Sequence, residues 1–329
     1  MSPPADGAPS AAMRETPTAE DSARIARAAQ LYRRAAVAIG HTVRGKAEVV
    51  ELALIAVVAG GHVLLEDVPG VGKTTLASAL AAALGGELRR VQFTSDLLPG
   101  DITGVSVLDG AGGFRFRPGP LFANIVLADE INRATPKTQS ALLEAMTERL
   151  VTVDGQRHAL PRPFAVLATQ NPTDHHSTFA LPDSQLDRFF VRLSMGYPAR
   201  EHERHILRAG GLRSAQFEPA LSLDETIELC AAVDAVAVHP DVEDLLLELV
   251  VRTRTDARLL RGVSTRGAEA LLRAARARAL GAGRAFVIPE DLLALAEPVL
   301  AHRVLPRAEG EPGAAERAVR ELLAEVFAG

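Results

Sequence analysis

The segment that most constrains this chain is His62–Thr75, HVLLEDVPGVGKTT. HVLLE has strand character and runs without a spacer into a glycine-rich turn, and Leu76–Leu84 follow with helical patterning. A strand, a turn ending in Gly-Lys-Thr and a helix together make a phosphate cradle, because backbone N–H groups and the helix N-terminus converge on an anion. Gly70 and Gly72 let the backbone close around it, and Pro69, Val71 and Thr75 complete the loop. Lys73 brings an ammonium to the β- and γ-phosphates, and the Thr74 hydroxyl suits Mg²⁺. The usual pattern opens on glycine, whereas this loop opens on Asp67.

Composition strengthens the reading. The chain has 36 basic residues, of which only Lys46, Lys73 and Lys137 are lysine. An ordinary surface cation here is arginine, so a lysine in the loop marks a place where a compact point charge fits and a planar fork does not.

Asn124–Ala128, NIVLA, is an apolar strand that ends in Asp129-Glu130. Carboxylates at a strand's end lie at the carboxyl edge of the sheet, where ligands of open α/β folds bind. Asp129 can hold Mg²⁺, and Glu130 can orient and deprotonate a water that attacks the γ-phosphate. Phe164–Ala168, FAVLA, delivers Thr169-Gln170-Asn171 to the same edge. Asn171 could hold the attacking water or the γ-phosphate; taken alone, it reads first as a turn residue before Pro172.

With Leu88–Phe93 and Phe189–Leu193 the strand candidates number five, and helices alternate with them, which predicts a parallel sheet covered on both faces. Ser22–Ile39 and Glu48–Ala59 read as helices before the first strand, the second closed by Gly60-Gly61. After residue 196 the pattern is helical: Glu201–Ala209, Ser222–Ala235, Pro240–Arg254, Ser264–Leu280 and Pro289–Arg303, with Gly281 as a stop signal. The fold class expected is α/β with a parallel five-stranded sheet, followed by an all-helical lid. The divisions expected are a disordered tail over 1–20, an α/β core over 21–195, a linker over 196–220 and a lid over 221–329.

A net charge of −5 argues against bulk-charge binding of nucleic acid. The single cysteine, Cys230, excludes a disulfide framework and a cysteine-built metal site, and points to a reducing, cytoplasmic setting. No apolar stretch near the front approaches the roughly 20 residues of a spanning helix, so membrane insertion is not expected.

The stretches HVLLEDVPGVGKTT, DEINRATPKTQSALLEAM, VTVDG, ATQNP and LPDSQLDRF resemble the MoxR family of AAA+ ATPases. With the lid, the resemblance covers about 40–305, and Asp67 is familiar in that family's loop. It implies a P-loop AAA+ core that binds ATP and Mg²⁺. Lys73 and Thr74 would be Walker A, Asp129 and Glu130 Walker B, Asn171 sensor 1, Arg188 the arginine finger and Arg266, in VSTRG, sensor 2. Whether Arg266 acts within its subunit or on a neighbour stays open. Val43-Arg44-Gly45-Lys46 resembles the segment beside the adenine, which implies contacts from Val43 and Gly45. The resemblance further implies a homo-hexamer and protein clients, among them proteins with von Willebrand factor A domains. Hairpins are expected at Val105–Pro120 and Leu150–Gly155. NPTDHHSTFALPD departs from the family pattern at His175-His176 and Ser177; a metal there is rejected, because no third ligand is suitably spaced.

The function expected is an ATPase that remodels or matures a protein complex. Alternatives are a nucleic-acid motor, hinted at only by Phe114-Arg115-Phe116-Arg117, a metal-chelatase motor subunit, and a nucleotide-gated scaffold that barely hydrolyses.

Overall fold

A computed structural model describes residues 18–109, 113–171, 179–208, 219–308 and 311–327. In chain order the helices α1 (Ala19–Thr42) and α2 (Ala47–Val58) precede strand β1 (Val63–Glu66). Then come α3 (Lys73–Ala83), β2 (Leu88–Gln92), α4 (Pro99–Thr103), β3 (Gly104–Leu108), β4 (Phe114–Pro118), β5 (Ile125–Asp129) and α5 (Pro136–Glu148). They are followed by β6 (Leu150–Val153), β7 (Gln156–Ala159), β8 (Ala165–Gln170), α6 (Asp183–Leu186), β9 (Val191–Leu193) and α7 (Arg200–Arg208). The last part holds α8 (Leu223–Ala232), α9 (Pro240–Thr255), β10 (Leu259–Arg261), α10 (Thr265–Gly281), α11 (Pro289–Leu300), β11 (Leu305–Pro306) and α12 (Ala314–Phe327).

The five expected strands form one parallel sheet in the order β2-β5-β8-β1-β9. Alternation of side chains sends Leu64, Val126, Ala128, Val166 and Ala168 into one hydrophobic core, with α5 and the hairpins. It sends Val63, Leu65, Ile125, Leu127 and Leu167 into the other, with α1, α2, α3 and the helices from α8 onward. Both faces are therefore covered, which is why the central strands are almost continuously apolar.

The expected hairpins are present as β3–β4 and β6–β7, the second reaching Ala159; the turn residues 110–112 lie outside the described residues, as do His175, His176 and Ser177. Three features differ from the sequence reading. Helix α1 starts at Ala19, inside the stretch read as a tail, because Thr18 and Asp21 form a reciprocal cap. The helical part carries a short antiparallel pair, β10–β11, and ends in α12. Gly281 belongs to the last turn of α10 and is not a stop: a Cβ there would meet the Tyr32 ring at 2.7 Å, so the glycine serves close packing on α1. The residue with positive φ (+77°) past this helix is Gly283.

Candidate nucleotide site at the carboxyl edge of the sheet

The loop after β1 turns on two glycines with positive φ, Gly70 at +85° and Gly72 at +102°, with open space beside Gly70. Gly72 caps α3, so the first N–H groups of that helix face the loop, where an anion would satisfy them. Lys73 is the first helical residue, and its Nζ donates to the Asp67 carbonyl at 2.8 Å, which holds the ammonium over the loop. Burial pulls the Lys73 ammonium below the ordinary lysine range, opposed by the charges of Asp67, Asp129 and Glu130. Thr74 is exposed at the start of the helix.

Because β5, β8 and β1 are neighbours, the loop, Asp129-Glu130 and Asn171 meet at one edge. Thr169, almost wholly buried, joins them. Its hydroxyl donates to Asp129 Oδ1 at 2.7 Å and accepts the Glu130 N–H at 2.8 Å. Glu130 has φ of +58°, a conformation an L-residue holds only when its surroundings enforce it, and the Thr169 bond is one such enforcement. Edge strand β2 supplies two further partners. Arg90 places Nη2 at 2.6 Å and Nε at 3.1 Å from Asp129 Oδ2, and Gln92 Nε2 donates to Glu130 Oε2 at 2.8 Å. Arg133 Nη1 reaches the same Glu130 oxygen at 3.1 Å.

The donor chemistry fits magnesium and a polyphosphate. Thr74 and Asp129 offer oxygen ligands, and no group of three or more His, Cys, Asp or Glu side chains forms a metal cage among the described residues. A small hard cation held by one or two protein oxygens, with phosphate and water filling its shell, needs this kind of sparse set.

Asp67, where the usual loop has glycine, has a structural task. Its carboxylate accepts the backbone N–H groups of Met195 and Gly196, the latter at 3.2 Å, and the Ser194 hydroxyl at 3.2 Å. The phosphate loop is thereby fastened to the chain leaving β9. The Val43–Lys46 segment abuts the same stretch. Lys46 Nζ donates to the Tyr197 carbonyl at 2.9 Å, and a Cβ on Gly45 would meet the His202 ring at 2.7 Å.

The other two expected arginines lie elsewhere. Arg188 precedes β9, at the amino edge of the sheet, where its Nη1 donates to the Leu143 carbonyl at 2.9 Å and to Thr147 Oγ1 at 2.7 Å. Arg266, in the first turn of α10, lies 3.5 Å from Asp187 Oδ2. Asp187, next to Arg188 in the chain, thereby brings Arg266 to the end of the sheet where β9 begins.

This strand order, phosphate loop and acidic pair define a AAA+ ATPase, an ATP hydrolase. The family model for the ATPase family associated with various cellular activities (AAA) matches residues 62–191, and that for the AAA lid domain matches 251–322. The chain belongs to the MoxR family. It is 39% identical over 282 residues to the chaperone MoxR1 of Mycobacterium tuberculosis, covering 83% of this chain and 75% of that one. It is 33% identical to the MoxR protein of Paracoccus denitrificans, covering 85% and 90%. It is 46% identical over 293 residues to the uncharacterized protein YeaC of Bacillus subtilis, covering 88% and 92%. A crystal structure of a candidate ATPase from Cytophaga hutchinsonii superposes with a TM-score of 0.82 at 34% identity, over 94% of this chain and 96% of that one.

Proposed function

We propose that this protein hydrolyses Mg-ATP as a cytoplasmic homo-hexamer and uses the cycle to remodel or mature a protein complex. The observation that carries the hydrolytic part is the Thr169 bridge, which aims Asp129 and the conformationally constrained Glu130 at the edge that holds the phosphate loop. Lys73 and the loop N–H groups bind the phosphates, while Val43 and Gly45 border the base. Thr74 and Asp129 would hold magnesium, which supplies charge neutralisation across the phosphates. Glu130 takes the proton from the attacking water, and Asn171 orients that water or the γ-phosphate.

Arg188 and Arg266 act on the nucleotide of the neighbouring subunit. Support comes from register: Val191 pairs with Val63, so Arg188 stands before the amino end of β9 while the phosphate loop follows the carboxyl end of β1. The four residues of β1, at about 3.3 Å each, separate the two. An arginine placed there suits a site completed in trans.

The division into a core over 21–195, a linker over 196–220 and a lid over 221–329 belongs to the same reading. For clients, the relative named as a chaperone supports a protein partner, and von Willebrand factor A domain proteins are the class proposed. None of the described helices is long and apolar enough to cross a membrane. The test is Glu130→Gln. ATP binding is retained, turnover falls by about 10²-fold or more, and the ATP-locked protein purified from its host carries specific protein partners. Unchanged turnover overturns the hydrolytic reading, and DNA-stimulated turnover with no protein partner overturns the client reading.

A further inference from the structure

One buried guanidinium holds the segment that carries Arg188. Arg303, 4% exposed, donates from Nη2 to the carbonyls of Phe189 at 2.6 Å and Asp187 at 3.4 Å, and from Nη1 to those of Phe190 at 3.1 Å and Val299. Its Nε donates to Asp187 Oδ1 at 3.0 Å. Backbone groups on both sides of Arg188 are thus fixed by a single side chain from the helical lid. Charge-assisted bonds of this kind, made away from water, are the strong ones, and the planar fork fixes direction as well as distance.

The Asp187 carboxylate then collects the lid residues around Arg266. Both of its oxygens accept from the Ser264 hydroxyl, at 3.2 and 3.1 Å, and Ser264 also caps α10 through the Gly267 N–H at 3.1 Å. Arg266, one residue before Gly267, completes the cluster at 3.5 Å from Oδ2. Gly267 is glycine because the first turn of α10 lies directly on Arg303: a Cβ there would meet the Arg303 Cδ at 2.9 Å and the Val263 Cγ1 at 2.6 Å.

We propose that Asp187 and Arg303 are positioning residues that bind Arg188 and Arg266 into one unit, so that the lid sets where both arginines stand toward the neighbouring subunit's nucleotide. The proposal rests on the reading of Arg188 as an arginine supplied in trans.

Subunit mixing tests it, with Asp187→Asn, Arg188→Ala and Lys73→Ala proteins measured alone and in equal mixtures, and with fluorescent-ADP binding and thermal melting as controls. Alone, Asp187→Asn binds nucleotide within about threefold of the parent but loses turnover by about tenfold or more. Mixed with Lys73→Ala, which keeps its own Asp187 and Arg188 but cannot bind nucleotide, it regains turnover, as Arg188→Ala does. A residue that merely supports its own subunit's fold is not rescued by a neighbour. Arg303→Lys, which keeps the charge but not the fork, repeats the pattern if Asp187→Asn melts too low to assay. If the Arg188→Ala mixture regains turnover while Asp187→Asn either keeps full turnover alone or is not rescued, the positioning role is overturned and the arginine reading stands. If the Arg188→Ala mixture stays inactive, the reading in trans fails and takes this proposal with it.

Discussion

The Asp67 carboxylate accepts the Gly196 N–H at 3.2 Å, so the first residue of the phosphate loop is fastened to the point where the chain leaves the sheet. Met195 donates its N–H to the same carboxylate. The carboxylate thus ties the loop directly to residues 194–196, the stretch that precedes α7.

Asp67→Gly would restore the usual first residue of such loops while removing this fastening. Nucleotide affinity should stay within a few-fold, because the cradle itself is backbone. Stability should fall by about 2 kcal/mol, the scale of charge-assisted hydrogen bonds lost together. Thermal melting and fluorescent-ADP titration separate the two effects.

Thr169→Val keeps shape and burial but deletes the bridge between Asp129 and the Glu130 N–H. Turnover should fall by about 10-fold or more with nucleotide affinity little changed, since Glu130 loses a partner that holds its left-handed conformation. Comparing kcat with KM for the variant checks this; a loss confined to KM would assign Thr169 to substrate binding instead.

Arg90 holds Asp129 Oδ2, one of the two oxygens this carboxylate can offer a divalent cation. Arg90→Met should therefore lower the Mg²⁺ concentration at half-maximal nucleotide binding by several-fold, an effect of removing a competing positive charge near the metal position. Titration of Mg²⁺ at fixed fluorescent nucleotide reads it directly.

Two buried histidines make stability depend on pH. His62 accepts the Val166 N–H at Nδ1 (3.0 Å), its Nε2 lies 3.0 Å from the Met146 carbonyl, and burial, with Arg149 nearby, pulls its pKa down to about 3. Burial and the adjacent Arg303 likewise push His302 well below the ordinary range. In the unfolded chain both titrate near 6.5. Between that value and about 3 the unfolded state binds more protons, so stability falls as pH drops below 6.5. Melting temperature should be flat above pH 7 and decline below 6.5, with a shallower decline in His62→Gln.

That the loop, the acidic pair and Asn171 share one sheet edge was legible because each directly follows an apolar strand within a dozen residues. Arg90 and Gln92 were not, because their role depends on β2 lying beside β5 with Gln92 opposite Asp129, a register no local pattern encodes. Thr169 was read only as part of a strand end, since a buried threonine looks the same whether it packs or bridges. Arg303 was hidden by composition: in a chain where almost every cation is arginine, one more at a helix end carries no signal. Its partner Asp187 sits in a recognisable motif, but the motif draws attention to the next residue.

Helix α1 packs on α3 of the core and on α8 and α10 of the lid, tightened where Gly281 meets Tyr32 and fastened by the Arg34–Glu225 and Arg27–Glu228 pairs. One rod lying across both lobes leaves little room for them to swing apart like a book. Packed helices of this kind, where they move, do so by small sliding along the seam. A slide along that seam would carry α8 and α10 past α1 together, without opening a gap beneath it.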